Sequence, residues 1–338
     1  MPPLLQKLVE EYGVSGSEAP VRKMIEGELK NHVDKLYADK LGNLIAVHEG
    51  GKPKAMLAAH MDEIGLIVKN IDVSGRVYFY TVGSIEPVYL LGDRTHVLGR
   101  PELRGIISTL EMTDGREIEK LPKLENMFID MGLTKEQLKK KGVDVGTFIV
   151  LEQEFGYLAN QEFIYGKGLD DRIGCYILSE VARLSKAAKV KEMVNFVFTV
   201  QEEIGLYGAK TSAYELSPDW GIVVDVSSTS EENSLRLPGS GPTITIMDSA
   251  TIGNRCMNEH IENIARKKKI PLQMDVSDVG TTDALSISIS KGGVPATAIG
   301  VPVKNLHTTV GIASLDDIQN SIKLILEVLK NPPKHCLK

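Results

Sequence analysis

Three apolar runs of strand length, 54–59, 194–200 and 220–224, each lead straight into a residue that can hold a proton or a metal: His60, the pair Glu202-Glu203, and Asp225. Unbroken apolar runs this short, bounded by polar residues, read as buried strands. After Gly166 such runs alternate with helical stretches to the end of the chain, finishing in the amphipathic segment 315–329. That alternation predicts an α/β sheet, and open α/β sheets bind their ligands outside the carboxyl ends of the strands.

The chemistry at those ends is uniform. Glu202 and Glu203 would repel each other in a half-buried site unless a cation or a shared proton absorbs the charge, so the pair reads either as a solvated strand end or as a metal ligand beside a general base. His60 and Asp62 stand two apart, on one side of an extended chain, where the carboxylate can orient the imidazole. Asp170-Asp171 precedes the helical stretch 175–184, as helix cap or as metal ligand. A second imidazole, His307, follows the run 301–303. His60, Asp170, Glu203, Asp225 and His307 together make five candidate ligands of two His and three carboxylates. That set suits zinc, cobalt or manganese, and one shared carboxylate would let five residues hold two ions with a position open for water.

Organisation changes between residues 66 and 163. Residues 4–32 have helical periodicity, and 36–39, 43–47 and 55–59 read as strands. From 66 onward the pattern is of short strands between turns, at 66–68, 76–82, 95–98, 105–108 and 147–151, with one helix at 134–141. This predicts an inserted β-rich module, residues 66–163. The remainder, 1–65 plus 164–338, must form one discontinuous domain, because His60 and Asp170 flank the insertion.

Composition excludes several classes. With 338 residues, a net charge of −6 and a pI near 5.7, the chain has no basic face for a nucleic-acid backbone. No run of about 18 apolar residues would span a membrane, and residues 1–7 lack the pattern of a signal peptide. The three cysteines, 175, 256 and 336, form no paired framework, which predicts a reducing, cytoplasmic setting.

The motifs, in order, are Ser15-Gly16-Ser17-Glu18, Gly42-Asn43-Leu44, Ala59-His60-Met61-Asp62-Glu63-Ile64-Gly65, Leu169-Asp170-Asp171-Arg172-Ile173-Gly174, Gln201-Glu202-Glu203-Ile204-Gly205, Val224-Asp225-Val226, Gly280-Thr281-Thr282-Asp283-Ala284 and Leu306-His307-Thr308. Over nearly its whole length the chain resembles the tetrahedral and deblocking aminopeptidases, a family of dinuclear metallopeptidases. The resemblance implies a mixed-sheet α/β/α metallopeptidase domain carrying a small β-barrel-like, PDZ-like dimerisation domain. It implies that His60 and Asp225 bind one metal and Glu203 and His307 the other, with Asp170 bridging and zinc or cobalt as the ions. Glu202 would be the general base and Asp62 would orient His60. A cis peptide after Asp170 is also implied. So are short peptides as substrates, and dimers that assemble into a tetrahedral dodecamer.

Two departures bear on specificity. Many relatives carry Arg-Tyr shortly before the second metal histidine and a Ser-Pro-x-Glu-like string after it, whereas this chain has Lys304-Asn305-Leu306 before His307 and Thr308-Thr309-Val310-Gly311 after it. The stretch 227–242, rich in Ser, Glu and Gly, either lines the same pocket or is a solvated loop. A glycoside hydrolase, a label some members have carried, would need aromatic sugar platforms, and this chain is 5% aromatic with one Trp. A non-catalytic binding protein of the same fold would be expected to lack a ligand or the base, and all are present.

Overall fold

The computed structural model describes residues 3–152, 154–230 and 235–337. Among them an eleven-stranded mixed sheet runs in the order Lys35–Ala38, Leu44–His48, Glu192–Thr199, Gly51–His60, Trp220–Ser228, Ala296–Lys304, Gly311–Ser314, Phe163–Gly166, Gly156–Tyr157. Thr243–Met247 branches from Ala296–Lys304 and carries Gln273–Val276 on its other side. The four strands at its centre, Glu192–Thr199, Gly51–His60, Trp220–Ser228 and Ala296–Lys304, are mutually parallel. Their carboxyl ends therefore open on one edge, with Thr199 opposite His60 and Asp225 opposite Gly300.

The apolar runs are unbroken because both faces are covered. Successive side chains of a strand point to opposite faces. Leu57 and Ala59 join one core with helices Leu169–Ser185 and Leu315–Lys330, while Met56 and Ala58 join a second core with helices Tyr207–Leu216 and Ala284–Ser288. Each fully buried aliphatic side chain stabilises this α/β/α sandwich by roughly 1.5–3 kcal/mol.

The segment between His60 and Phe163 contains a closed antiparallel barrel of six strands, in the order Gly65–Ile71, Val77–Val82, Phe128–Asp130, Leu103–Ser108, Arg94–Val97, Phe148–Leu151. Its core, including Leu66, Val77, Phe79, Ile107, Ile129 and Ile149, is separate from those of the sandwich. Phe128–Asp130 carries no sequence signal long enough to mark it, yet it closes the barrel by pairing with both Val77 and Ile107.

Three expectations are corrected. The helical stretch 4–32 is two helices, Pro3–Glu10 and Ala19–Leu29, and the chain between them carries Ser15 down to the strand ends. The helix placed at 175–184 extends to Ser185 and starts a turn earlier, just after Asp170 and Asp171, which are non-helical with a cis peptide between them and precede it as the sequence suggests. The expectation of no paired cysteines is overturned, because Cys256 and Cys336 form a disulfide with their Cα atoms 5.6 Å apart. Eighty residues separate them in the chain, but helix Arg255–Lys268 packs beside helix Leu315–Lys330, whose end delivers Cys336 to Cys256. Cys175 is free and buried against the strand carrying His60.

Candidate metal centre

The predicted residues converge on the edge where the central strands end. His60 is almost fully buried, and its Nε2 lies 2.9 Å from Asp170 Oδ1, 3.9 Å from Asp225 Oδ1 and 4.0 Å from Glu202 Oε2. The other oxygen of Asp170, Oδ2, is 3.4 Å from His307 Nε2, which is also 3.8 Å from Glu203 Oε2. One carboxylate thus spans two imidazoles. A ring nitrogen of His60 and carboxylate oxygens of Glu202 and Asp225 lie within 4.8 Å of one another, and so do the donors of His60, Asp170 and Glu203. Glu202, expected to serve as base rather than ligand, is therefore as near to His60 and Asp225 as a ligand would be.

Asp62 reaches both His60 and the turn of Glu202 and Glu203. The nearest partner of His60 Nδ1 is the backbone carbonyl of Asp62 at 3.1 Å, with the carboxylate at 3.5 Å. That carboxylate accepts from the backbone N–H of Glu202 at 3.0 Å, from that of Glu203 at 3.1 Å and from Ser15 Oγ at 2.5 Å. One residue earlier, Gln201 N–H donates to Glu18 at 3.1 Å. Two buried carboxylates hold three consecutive amides, which pins the turn that aims Glu202 and Glu203. Ser15 and Glu18 were visible in the sequence only as a short Ser/Glu string, with nothing local to announce this role.

The acidic pair divides its two readings. Asp170 faces the imidazoles, while Asp171 Oδ1 accepts from Gly174 N–H at 2.8 Å as a helix cap and its Oδ2 accepts from His60 N–H at 3.2 Å. Gly168 stands just before them at φ 55°, where a Cβ would come within 2.9 Å of Glu63 Oε2. Behind the pair, fully buried Arg172 donates to Met61 O, Leu8 O, Glu11 O and Glu63 Oε1, and Lys167 Nζ meets Glu63 Oε2 at 2.7 Å. This network ties the loop after His60 to the loop of Asp170. Gln201, Leu206, Asn305 and His307, all beside the site, have positive φ near 57°. Non-glycine residues held there carry backbone strain of the kind that collects at functional sites.

The electrostatics show a cluster short of positive charge. Burial, with Asp170 nearby, raises Glu203 to about 8; burial raises Asp225 to about 7 against the pull of His60. Burial also lifts Glu202 well above the carboxylate range, with Asp225, Asp283 and Glu203 adding to it. Burial opposes protonation of His60, yet Glu202, Asp170 and Asp62 outweigh it and hold that imidazole well above its ordinary value. Hydrogen bonding to Asp170 lifts His307 to about 9. Asp170, burial notwithstanding, is held low by the two imidazoles. Glu203 Oε1 is buried with no hydrogen-bond partner among the described residues. An orphaned carboxylate oxygen, imidazole nitrogens and no thiolate are what a divalent cation requires, so these residues fit such an ion.

The cluster opens into a cavity of about 570 Å³. Leu306 and His307 line it beside Ser227 and Ser228, so the stretch 227–242 contributes to the pocket in part; residues 231–234 of that stretch lie outside the described residues. The unusual Asn305 ties its own loop, donating to Val310 O at 3.2 Å.

Sequence comparison places residues 42–324 in the M42 glutamyl aminopeptidase family. The lysyl aminopeptidase of Pyrococcus furiosus is 33% identical over 341 residues, covering 97% of this chain and 97% of that protein. An aminopeptidase of the archaeon Desulfurococcus kamchatkensis superposes with a TM-score of 0.93 at 34% identity, over 99% of this chain and 96% of that one. The TET1 peptidase of Pyrococcus horikoshii, which can assemble into a tetrahedron or a large octahedral shell, superposes with a TM-score of 0.88 at 31% identity, over 96% and 98% of the two chains. The fold is thus shared from end to end, and the chain belongs to the M42 family of peptide-hydrolysing aminopeptidases.

Proposed function

We propose that the protein removes the N-terminal residue of short peptides by attack of water on the first peptide bond, with two divalent cations, zinc or cobalt, in the cluster. His60 and Asp225 would hold one ion, Glu203 and His307 the other, and Asp170 would bridge. The observation that carries this reading is the split of Asp170, with one oxygen 2.9 Å from His60 Nε2 and the other 3.4 Å from His307 Nε2. When bound, such a pair supplies Lewis acidity to the scissile carbonyl and makes water acidic enough to deprotonate near neutral pH.

The chain's own residues do the rest. Glu202, held at the cavity wall by the grip of Asp62 on its amide, accepts the proton of the attacking water and returns it to the leaving amine. We assign residues 66–163 to dimerisation, assembly of the dimers to a tetrahedral dodecamer, and the enzyme to the cytoplasm. The likeness to a peptidase that forms such shells supports the assembly.

The experiment pairs the two neighbours, after chelation and re-addition of zinc or cobalt, with aminoacyl-p-nitroanilides as substrates. Glu202→Gln is expected to lose about 10²-fold or more in kcat while retaining metal, and Glu203→Gln to lose metal. Near-normal turnover in Glu202→Gln would remove that residue as the base. Activity indifferent to chelation would remove the metal reading.

A further inference from the structure

Helix Leu315–Lys330 is followed by Asn331-Pro332-Pro333, which ends it and turns the chain into a short helical turn, Lys334–Cys336. Cys336 and Leu337 pack against the larger core of the sandwich, and Cys336 meets Cys256 in the first turn of helix Arg255–Lys268. A disulfide needs only two sulfurs. Here two imidazoles, His335 and His260, stand beside them, and none of the four residues belongs to the candidate metal centre.

The sulfurs of Cys256 and Cys336 and a ring nitrogen of His335 all lie within 4.8 Å of one another. His260 follows Cys256 by one helical turn, so the two share a face, and its ring is centred 5.1 Å from that of His335. Its Nε2 is 2.6 Å from the carbonyl oxygen of Asn331. A carbonyl only accepts, so Nε2 carries the proton and Nδ1 of the neutral ring keeps its lone pair. Ligating histidines are commonly fixed in this way, by donating the other ring N–H to a backbone carbonyl. Two thiolates and two imidazoles are the donor set of a closed, tetrahedral zinc site. Sulfurs about 2.3 Å from such an ion stand about 3.8 Å apart, a separation open to two cysteines whose Cα atoms are 5.6 Å apart.

We propose that this cluster is a zinc site in its reduced state: Cys256, Cys336 and His335, with His260 as fourth ligand, bind one ion that holds the chain after Pro333 on helix Arg255–Lys268, and the disulfide replaces the ion when the pair is oxidised. Disulfides are rare where thiol pools are reducing, and a pair joined by a disulfide alone would lose its tether there. The exchange balances. Two thiols of such a pool give two electrons to the disulfide and become a disulfide themselves, each cysteine sulfur takes a proton, and zinc displaces both protons on binding. The strand-end cluster contains no thiolate, so a probe that reports sulfur ligation separates the two sites.

The test adds cobalt(II), a spectroscopic stand-in for zinc, to the full chain stripped of metal by chelation, in its oxidised form and after reduction by a phosphine. The reduced protein is expected to show a near-ultraviolet thiolate-to-cobalt charge-transfer band that zinc bleaches, and the oxidised protein none. Cys256→Ser is expected to lose the band, and His335→Ala to need about tenfold more cobalt or more to reach it. No band in the reduced wild type overturns the proposal, as does an equal band in the oxidised protein. An undiminished band in Cys256→Ser overturns it too, because the thiolate would then be that of the free Cys175. Unchanged cobalt affinity in His335→Ala refutes the ligand set. Comparison of the two wild-type forms needs no variant, so it decides even if Cys256→Ser does not fold. Turnover plays no part in the readout, so failure of the aminopeptidase reading leaves this inference standing.

Discussion

Replacing Asp62 by Asn separates support from chemistry at this site. The fully buried carboxylate accepts Glu202 N–H on Oδ1 at 3.0 Å, and Glu203 N–H at 3.1 Å and Ser15 Oγ at 2.5 Å on Oδ2. Asn keeps one acceptor oxygen and turns the other into a donor. One of the two amides then faces an N–H, and the bond that remains loses its charge assistance. A hydrogen bond to a charged group contributes about 1.5–3 kcal/mol and a stranded buried donor costs about 1–3 kcal/mol, so the variant should lose about 2–4 kcal/mol of folding stability. The turn of Glu202 and Glu203 would shift, and displacing a catalytic group by about 1 Å costs on the order of 10² in rate. Urea unfolding of chelated protein reads the first loss, and kcat per bound metal reads the second. Wild-type unfolding midpoint and kcat within about threefold of wild type would show that the amide grip positions nothing.

Other outcomes follow from the same structure. Arg172→Met strips Glu63 of one of its two cations and takes a donor from three backbone carbonyls, of which Glu11 O keeps Lys167, and should destabilise the protein by about 3–5 kcal/mol in chemical denaturation. Cys336→Ser opens an 80-residue loop and should cost up to about 4 kcal/mol by loop-closure entropy, read as a lower melting temperature; an unchanged one would mean that the thiols are not joined in solution. The pH dependence of the chelated protein has a definite sign. Glu203 at about 8, Asp225 at about 7 and His307 at about 9 all sit above their ordinary values, so the folded state binds the extra protons. Their contribution is complete below the unfolded values and is lost as pH rises through 7 to 9. Chelated protein should therefore melt lower at pH 9 than at pH 6, and added divalent cation should raise the melting temperature most at pH 9; the opposite trend would refute the charge balance drawn for the cluster.

Much of this site was legible in the chain. His60, Glu203, Asp225 and His307 stand at or just beyond the ends of apolar runs, and a parallel sheet brings such ends to one edge whatever its other details. The β-rich rhythm between 66 and 163 likewise announced the barrel. What escaped had no local signal. Phe128–Asp130 is three residues long, and Ser15 and Glu18 lie in a break within an otherwise helical pattern. The Cys256–Cys336 disulfide depends on two helices packing side by side.

Periodicity and residue chemistry, which act along the chain, were enough to determine an α/β sandwich with an insertion and a strand-end set of imidazoles and carboxylates. Division of labour within that set came only with tertiary structure. Asp170 and Asp171 are neighbours of one kind in the sequence, and only the turn entering the helix sends one to the imidazoles and the other to the cap. Glu202 and Glu203 are likewise equivalent until Asp62 and Glu18, from distant loops, fix the turn that points them. Distances and desolvation belong to the folded chain, so the pKa shifts of the cluster and the unpartnered oxygen of Glu203 exist only there.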